Sequence, residues 1–451
     1  MMLPLPAAAQ RRAHVQRALA ATWGARAARI AALPIVVQEP ALRLPLRLRP
    51  VALPPWSAAG IDGRILIPEE LGEPSDDWRQ IDWWTAAFVL LEGWHERCWE
   101  AQHGVIHSYS LRLRGWDPQV WQHAWVNRIA RWLDAWAAHA DGRTLPAPNA
   151  PSILMTHDVD AIARTLPIQL KQSAFHLWRA LGALRSGRLA AAGARLQRIV
   201  RLFRSADDWW TFDRLLALER ANGIQATYHI AATPRAQRHW LMDPGYDVAT
   251  APVHRLLARL RQDGHQIGLH PGFAAWSTAT PLALARQALA AASNVPVDAC
   301  RQHWLRFSWD ATWRAQSDAG LRHDTTLMFN DRPGFRTAAA LSWHPWDQRQ
   351  QAPHRIRVTP SILMDSHLYD YQPLAPPARR DAIASWLAEV RLVGGQAAVL
   401  WHPHTLSDDY GWADGFDELL AAIRAAMCTI DRAHQPASDH PRRVGTGGSA
   451  R

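Results

Sequence analysis

Cysteine is scarce in this 451-residue chain. Cys98, Cys300 and Cys428 are too few for a disulfide framework and too far apart for a Cys-x-x-Cys metal site. Lysine is scarcer still, with Lys171 alone against 49 arginines. No apolar run approaches the roughly 18 residues of a membrane-crossing helix, so no spanning segment is expected. The opening stretch, MMLPLPAAAQRRAHVQRALAATWG, has arginines where a secretion signal needs apolar residues. A cytoplasmic location follows as the expectation, with peripheral membrane attachment as its variant. The chain lacks zinc-finger spacing and RNP-type aromatic motifs, so its net charge of +10 is not read as a nucleic-acid footprint.

What remains is an ordinary globular composition, 48% hydrophobic and 20% charged. A chain of this length buries a large core without covalent staples. The excess of Arg, Ala and Trp reads as compositional bias, although the charge also suits anionic lipid or an acidic glycan. Residues 1–140 form an Arg/Trp-rich, mainly helical region, with ten tryptophans from Trp78 to Trp136. Trp121, Trp125, Ile129, Trp132 and Trp136 recur at helical spacing and predict one apolar face. That face is expected in the core; sugar stacking and an interfacial belt are the alternatives. A Pro-rich linker over 141–151 separates this region from the rest.

Over 152–432, seven short apolar runs alternate with helical segments, which argues for a parallel α/β fold. The runs are SILMTHDVD, ATYHIAA, QIGLHP, QHWLRF, DTTLMF, RVTPSILM and AAVLWHPH. The Gly/Pro/Ser-rich tail over 433–451 is expected to be disordered. In parallel barrels chemistry gathers where strands end, and here those ends hold Asp158, Asp160, His270, Arg306, Asp365 and His402. Asp158 and Asp160 are two apart and share a face, so a cation or proton must offset their repulsion. A metal bound by one carboxylate, with the other as general base, answers that need. Without a metal, the pair would cap a helix or bind arginine. His270 and His402 suit ligand or acid roles, against the plainer reading of hydrogen-bonded barrel histidines.

The ordered set THDVD, GHQIGLHP, QHWLRF, LMD and LWHPH resembles the polysaccharide deacetylase (chitooligosaccharide deacetylase-like) superfamily. It is closest to the bacterial subgroup whose first motif reads His-Asp-Val-Asp. The resemblance covers about residues 150–430 and implies a distorted seven-stranded (β/α) barrel that removes N-acetyl groups from carbohydrate. It implies Asp158 as base, His402 as acid and Arg306 as the arginine orienting the base. Asp160 and His270 are the implied ligands of a divalent metal, expected to be zinc. Asp365, Trp401 and Trp304 are the expected substrate contacts. The family's second metal histidine falls here on Ala274, so the third protein ligand stays unassigned. Strand alternation puts His303 and Arg306 on opposite faces, which disfavours His303 if Arg306 points inward. The competing function is a non-catalytic carbohydrate-binding or scaffolding protein on the same barrel.

Residues 161–206 form a basic insert with nine cationic side chains and no acidic one. Leu196, Ile199, Val200 and Phe203 fall on one helix face. A basic amphipathic helix suits an anionic membrane surface; a hairpin packed on the barrel, or an acidic-glycan site, is the alternative.

Overall fold

The computed structural model describes residues 3–71, 77–204 and 207–428. The expected tail over 433–451 lies outside them. Helices α1 (Ala8–Trp23) and α2 (Ala27–Ala31) lead to an antiparallel ladder of β1 (Leu48–Ala52) and β2 (Arg64–Pro68). Helices α3 (Trp83–Leu91), α4 (Trp94–His103) and α5 (Trp125–Ala140) complete the N-terminal region. Asp82 starts α3 by accepting from the backbone N–H of Thr85 at 2.9 Å, satisfying one of the first-turn donors. Trp121, Trp125, Ile129 and Trp132 are buried and Trp136 partly so, which places the stripe in the core.

The barrel opens with β3 (Ser152–Val159), followed by the hairpin of α6 (Leu166–Arg185) and α7 (Leu189–Arg204). There follow α8 (Phe212–Ala221), β4 (Thr227–Ala231), α9 (Ala251–Gln262), β5 (Gln266–His270) and α10 (Ala279–Ser293). Next come β6 (Ala299–Cys300), α11 (Thr312–Asp318) and β7 (His323–Asp324). A two-residue ladder, β8 (Trp346–Asp347) with β9 (Ala352–Pro353), precedes β10 (Arg357–Val358) and β11 (Ser361–Met364). Helix α12 (Pro376–Leu392), strand β12 (Gln396–Leu400) and helix α13 (Ala413–Cys428) finish the described chain.

Eight strands, all paired in parallel, form one curled sheet in the order β10-β7-β6-β5-β4-β3-β12-β11. The α/β barrel is therefore present, with eight strands where seven were expected. RVTPSILM supplies two of them, because Pro360 lacks the N–H needed to continue a ladder. QHWLRF supplies none. Its strand is the preceding pair Ala299–Cys300, and His303–Leu305 is a single tight turn.

One cluster of buried apolar side chains runs from Val15 to Ala426, so the N-terminal region and the barrel share a core. Buried carboxylates reinforce that junction. Glu92 accepts from the Trp343 indole N–H at 2.9 Å, and Glu96 pairs with Arg336 at 2.8 Å.

Candidate active site

Strand β3 carries Asp158 to the C-terminal edge of the sheet, and Asp160 lies just beyond it. Tyr246 fixes that edge: its hydroxyl donates to the Val159 carbonyl at 2.8 Å and accepts from the Ala231 N–H at 2.7 Å. His157, the residue before Asp158 on the strand, faces the other way and bridges the Trp401 carbonyl and Glu219.

Asp158 faces His229 Nδ1 at 3.4 Å, Arg301 Nη1 at 3.7 Å and His270 Nε2 at 4.0 Å. Burial alone would raise its pKa, but His270, Arg301 and His229 outweigh burial and hold it well below the usual carboxylate range. Asp158 therefore stays ionised although almost wholly buried.

Asp160 meets a different set. Its Oδ1 lies 3.3 Å from His270 Nε2 and 3.5 Å from His303 Nε2, is buried, and makes no hydrogen bond. The opposite nitrogen of each ring is tethered. His270 Nδ1–H donates to the Arg301 carbonyl at 2.8 Å, and His303 Nδ1–H to Asp243 at 3.3 Å. This leaves both Nε2 lone pairs directed at the orphaned carboxylate oxygen. One carboxylate oxygen and two imidazole nitrogens, each ring fixed by an outer partner, are a donor set suited to a divalent metal. The residues present fit such an ion.

His402 stands across the pocket, with Nε2 3.9 Å from Asp160 Oδ2. Its Nδ1–H donates to Asp365 at 2.9 Å, and Asp365 also accepts from the His402 backbone N–H at 2.8 Å. Burial opposes charge on the ring, yet Asp365, Asp160 and Asp158 together push its pKa up to about 9. His404, two residues on, is held down at about 4 by burial and by His402.

Several expectations need correction. Arg306 does not reach Asp158; its guanidinium lies over the rings of Phe273 at 4.1 Å and Trp276 at 5.4 Å. Arg301 occupies the position beside Asp158 instead. His303, disfavoured by strand alternation, faces the metal-type cluster. The alternation argument fails because the chain leaves the sheet at Cys300, and Trp304 and Leu305 turn through positive φ of 59° and 47°. Asp365 is fully buried and accepts a hydrogen bond from His402 Nδ1–H at 2.9 Å. Trp401 is also buried, edge-on to Tyr369 in the core. Trp304 does line the pocket.

The pocket holds about 150 Å³ around Asp158, Asp160, His270, His303 and His402. Trp304, Tyr371 and Trp412 give it aromatic walls, and Lys171, Gln172 and Phe175 from α6 reach in from the insert.

No family model matches the chain, and no curated protein matches it. Solved structures of similar shape include a protein from Mycobacterium smegmatis named as a polysaccharide deacetylase, at 15% identity and TM-score 0.34, covering 62% of this chain and 86% of that one. The chitin deacetylase of Colletotrichum lindemuthianum is 12% identical at TM-score 0.32, covering 62% and 84%. A Bordetella bronchiseptica protein named for polysaccharide deacetylation in O-antigen biosynthesis is 12% identical at TM-score 0.30, covering 69% and 93%. Similarity this distant assigns no role to any residue; the roles below rest on the geometry of this chain.

Proposed function

We propose that this protein is a metal-dependent hydrolase that removes N-acetyl groups from a carbohydrate, built on a polysaccharide-deacetylase-like barrel. The observation that carries the reading is Asp158, faced by Arg301 and His229, beside the Asp160–His270–His303 cluster, with the Asp365-bonded His402 opposite. A divalent ion such as zinc, held by those three side chains, would polarise the acetamide carbonyl and acidify water. Asp158, kept ionised and oriented by Arg301 and His229, accepts the proton released by the attacking water. His402, oriented by Asp365, donates a proton to the amine nitrogen as the carbon–nitrogen bond breaks, giving acetate and a free amine. Trp304, half-buried in the pocket wall, offers a face for a sugar ring.

A panel of N-acetylated glycans, assayed for acetate release alongside metal analysis, tests the reading. We expect one bound metal and acetate from at least one glycan. Tight glycan binding without any acetate would place the protein in the binding class instead.

A peripheral membrane location has its own support. Of sixteen large apolar side chains exposed among the described residues, ten lie on the α6–α7 hairpin, Leu196, Val200 and Phe203 among them. No helix among the described residues is long and apolar enough to cross a membrane. We therefore assign the hairpin face to the surface of an anionic bilayer.

A further inference from the structure

Beside the pocket lies a second cavity of about 480 Å³, between the α6–α7 hairpin and the chain at Tyr371 and Pro373. Arg179, Arg185, Arg188 and Arg195 line it, and no acidic side chain does. Tyr371 lines both cavities, so the two are neighbours. Two of the arginines are anchored on the barrel. Arg179 donates to the Asp370 backbone carbonyl at 2.6 Å, and Arg195 to the Asp370 carboxylate at 2.9 Å. Arg198 stands 3.8 Å from that same carboxylate. Asp370 is thus already shared, and neither Arg185 nor Arg188 has a carboxylate partner among the described residues.

The concentration of like charge is felt locally. Burial, then Arg195 and Arg198, push the His176 imidazole down to about 4, so it adds no further cation. Burial and Arg195 also lower the Arg179 guanidinium, with a smaller push from Arg188. Asp370 offers one negative charge to these four lining arginines and to Arg198, so positive charge in the cavity is left uncompensated. A diphosphate ester carries two to three negative charges and presents oxygens that guanidinium forks bind bidentately. A lone sugar carboxylate would neutralise only one.

We propose that this cavity is a phosphate-binding subsite, and that the substrate is an N-acetylated sugar carried on a diphosphate group. The sugar half rests on the deacetylase reading; the anion half stands on the cavity alone. The diphosphate would sit among Arg179, Arg185, Arg188 and Arg195, with the sugar reaching past Tyr371 toward Asp158. A nucleoside diphosphate and a polyprenyl diphosphate share this chemistry, and the hairpin's apolar face favours the lipid-borne form.

Calorimetric titration with inorganic pyrophosphate tests the subsite directly. The full-length wild type is expected to bind it, more weakly as salt rises. The double variant Arg185→Gln/Arg188→Gln, altered at two exposed positions, should bind at least tenfold more weakly while melting at the wild-type temperature. Equal binding by both proteins, or none by either, overturns the subsite, as does tighter binding of glucuronate than of pyrophosphate. Acetate release is then compared for a free N-acetylhexosamine, its nucleoside diphosphate and its polyprenyl diphosphate. Preference for either diphosphate form, reduced at least tenfold in the double variant, supports the substrate class, and the better of the two identifies the carrier. Preference for the free sugar overturns it. Absence of acetate from all three, with pyrophosphate still bound, defeats the deacetylase reading and leaves the subsite standing.

Discussion

Asp158 and Asp160 are two positions apart and chemically identical, yet their neighbours divide the work between them. Arg301 and His229 attend Asp158, whereas His270 and His303 attend Asp160. Asp158→Asn keeps volume and loses the proton acceptor, so acetate release should fall about 10²- to 10⁴-fold with metal content unchanged. Asp160→Asn and His303→Ala should instead lose metal, read by elemental analysis of purified protein. Metal occupancy at the wild-type level in His303→Ala would exclude His303 from the site. The two arginines separate in the same way. Arg301→Gln is expected to lower kcat at least tenfold with little change in KM, because it touches Asp158. Arg306→Gln removes only a cation stacked on Phe273 and Trp276 and should leave Asp158 undisturbed. Asp158, Asp160, His270 and His402 were legible because each stands at the end of an apolar run. His303 and Arg301 were not, since period-two counting holds only while the chain remains in the sheet.

Among the elements, the α6–α7 hairpin is the one whose surroundings sequence could not supply. Its lack of acids and its amphipathic spacing were visible, but which way the apolar face turned was not. The structure roofs the pocket with Lys171, Gln172 and Phe175 and leaves Leu196, Val200 and Phe203 exposed. Vesicles rich in anionic lipid should therefore co-sediment wild type at low salt and release it as salt rises. Changing Leu196, Val200 and Phe203 to Ser should weaken sedimentation without lowering the melting temperature, because these side chains contribute little to the core. Strand β5 makes a sharper demand. A Cβ at Gly268 would lie 2.7 Å from the His229 ring, closer than packing allows. Gly268→Ala should displace His229 from Asp158 and lower kcat about tenfold or more, although Gly268 touches no substrate; unchanged kcat would show that His229 is not needed there.

Across the whole molecule, the N-terminal region is joined to the barrel by ion pairs as well as by apolar packing. Glu389 on α12 receives Arg128 of α5 at 2.6 Å and His123 at 3.2 Å. Burial would raise the Glu389 carboxyl, but His123 and Arg128 bring it from 4.5 down to about 2. A depressed carboxylate stabilises the fold above its unfolded pKa and loses that contribution as pH falls through the folded value. The shift corresponds to about 3 kcal/mol, of which roughly 2 kcal/mol is lost between pH 6 and pH 3. Glu389→Gln should therefore lower the melting temperature at pH 6 and narrow the difference between pH 6 and pH 3. A difference as wide as in wild type would remove Glu389 from the acid response.

Local pattern alone determined the alternation of strands and helices, the burial of the tryptophan stripe and the placing of Asp158, Asp160, His270 and His402 at strand ends. These features depend on residues close in sequence, where the periods of strand and helix apply. Tertiary structure decided the rest. It brought His303 to Asp160 through a left-handed turn and turned Asp365 beneath His402. It also put Arg301 rather than Arg306 beside Asp158. Each of those outcomes depends on where a chain goes after it leaves a strand, and neighbouring strands far away in sequence set that path.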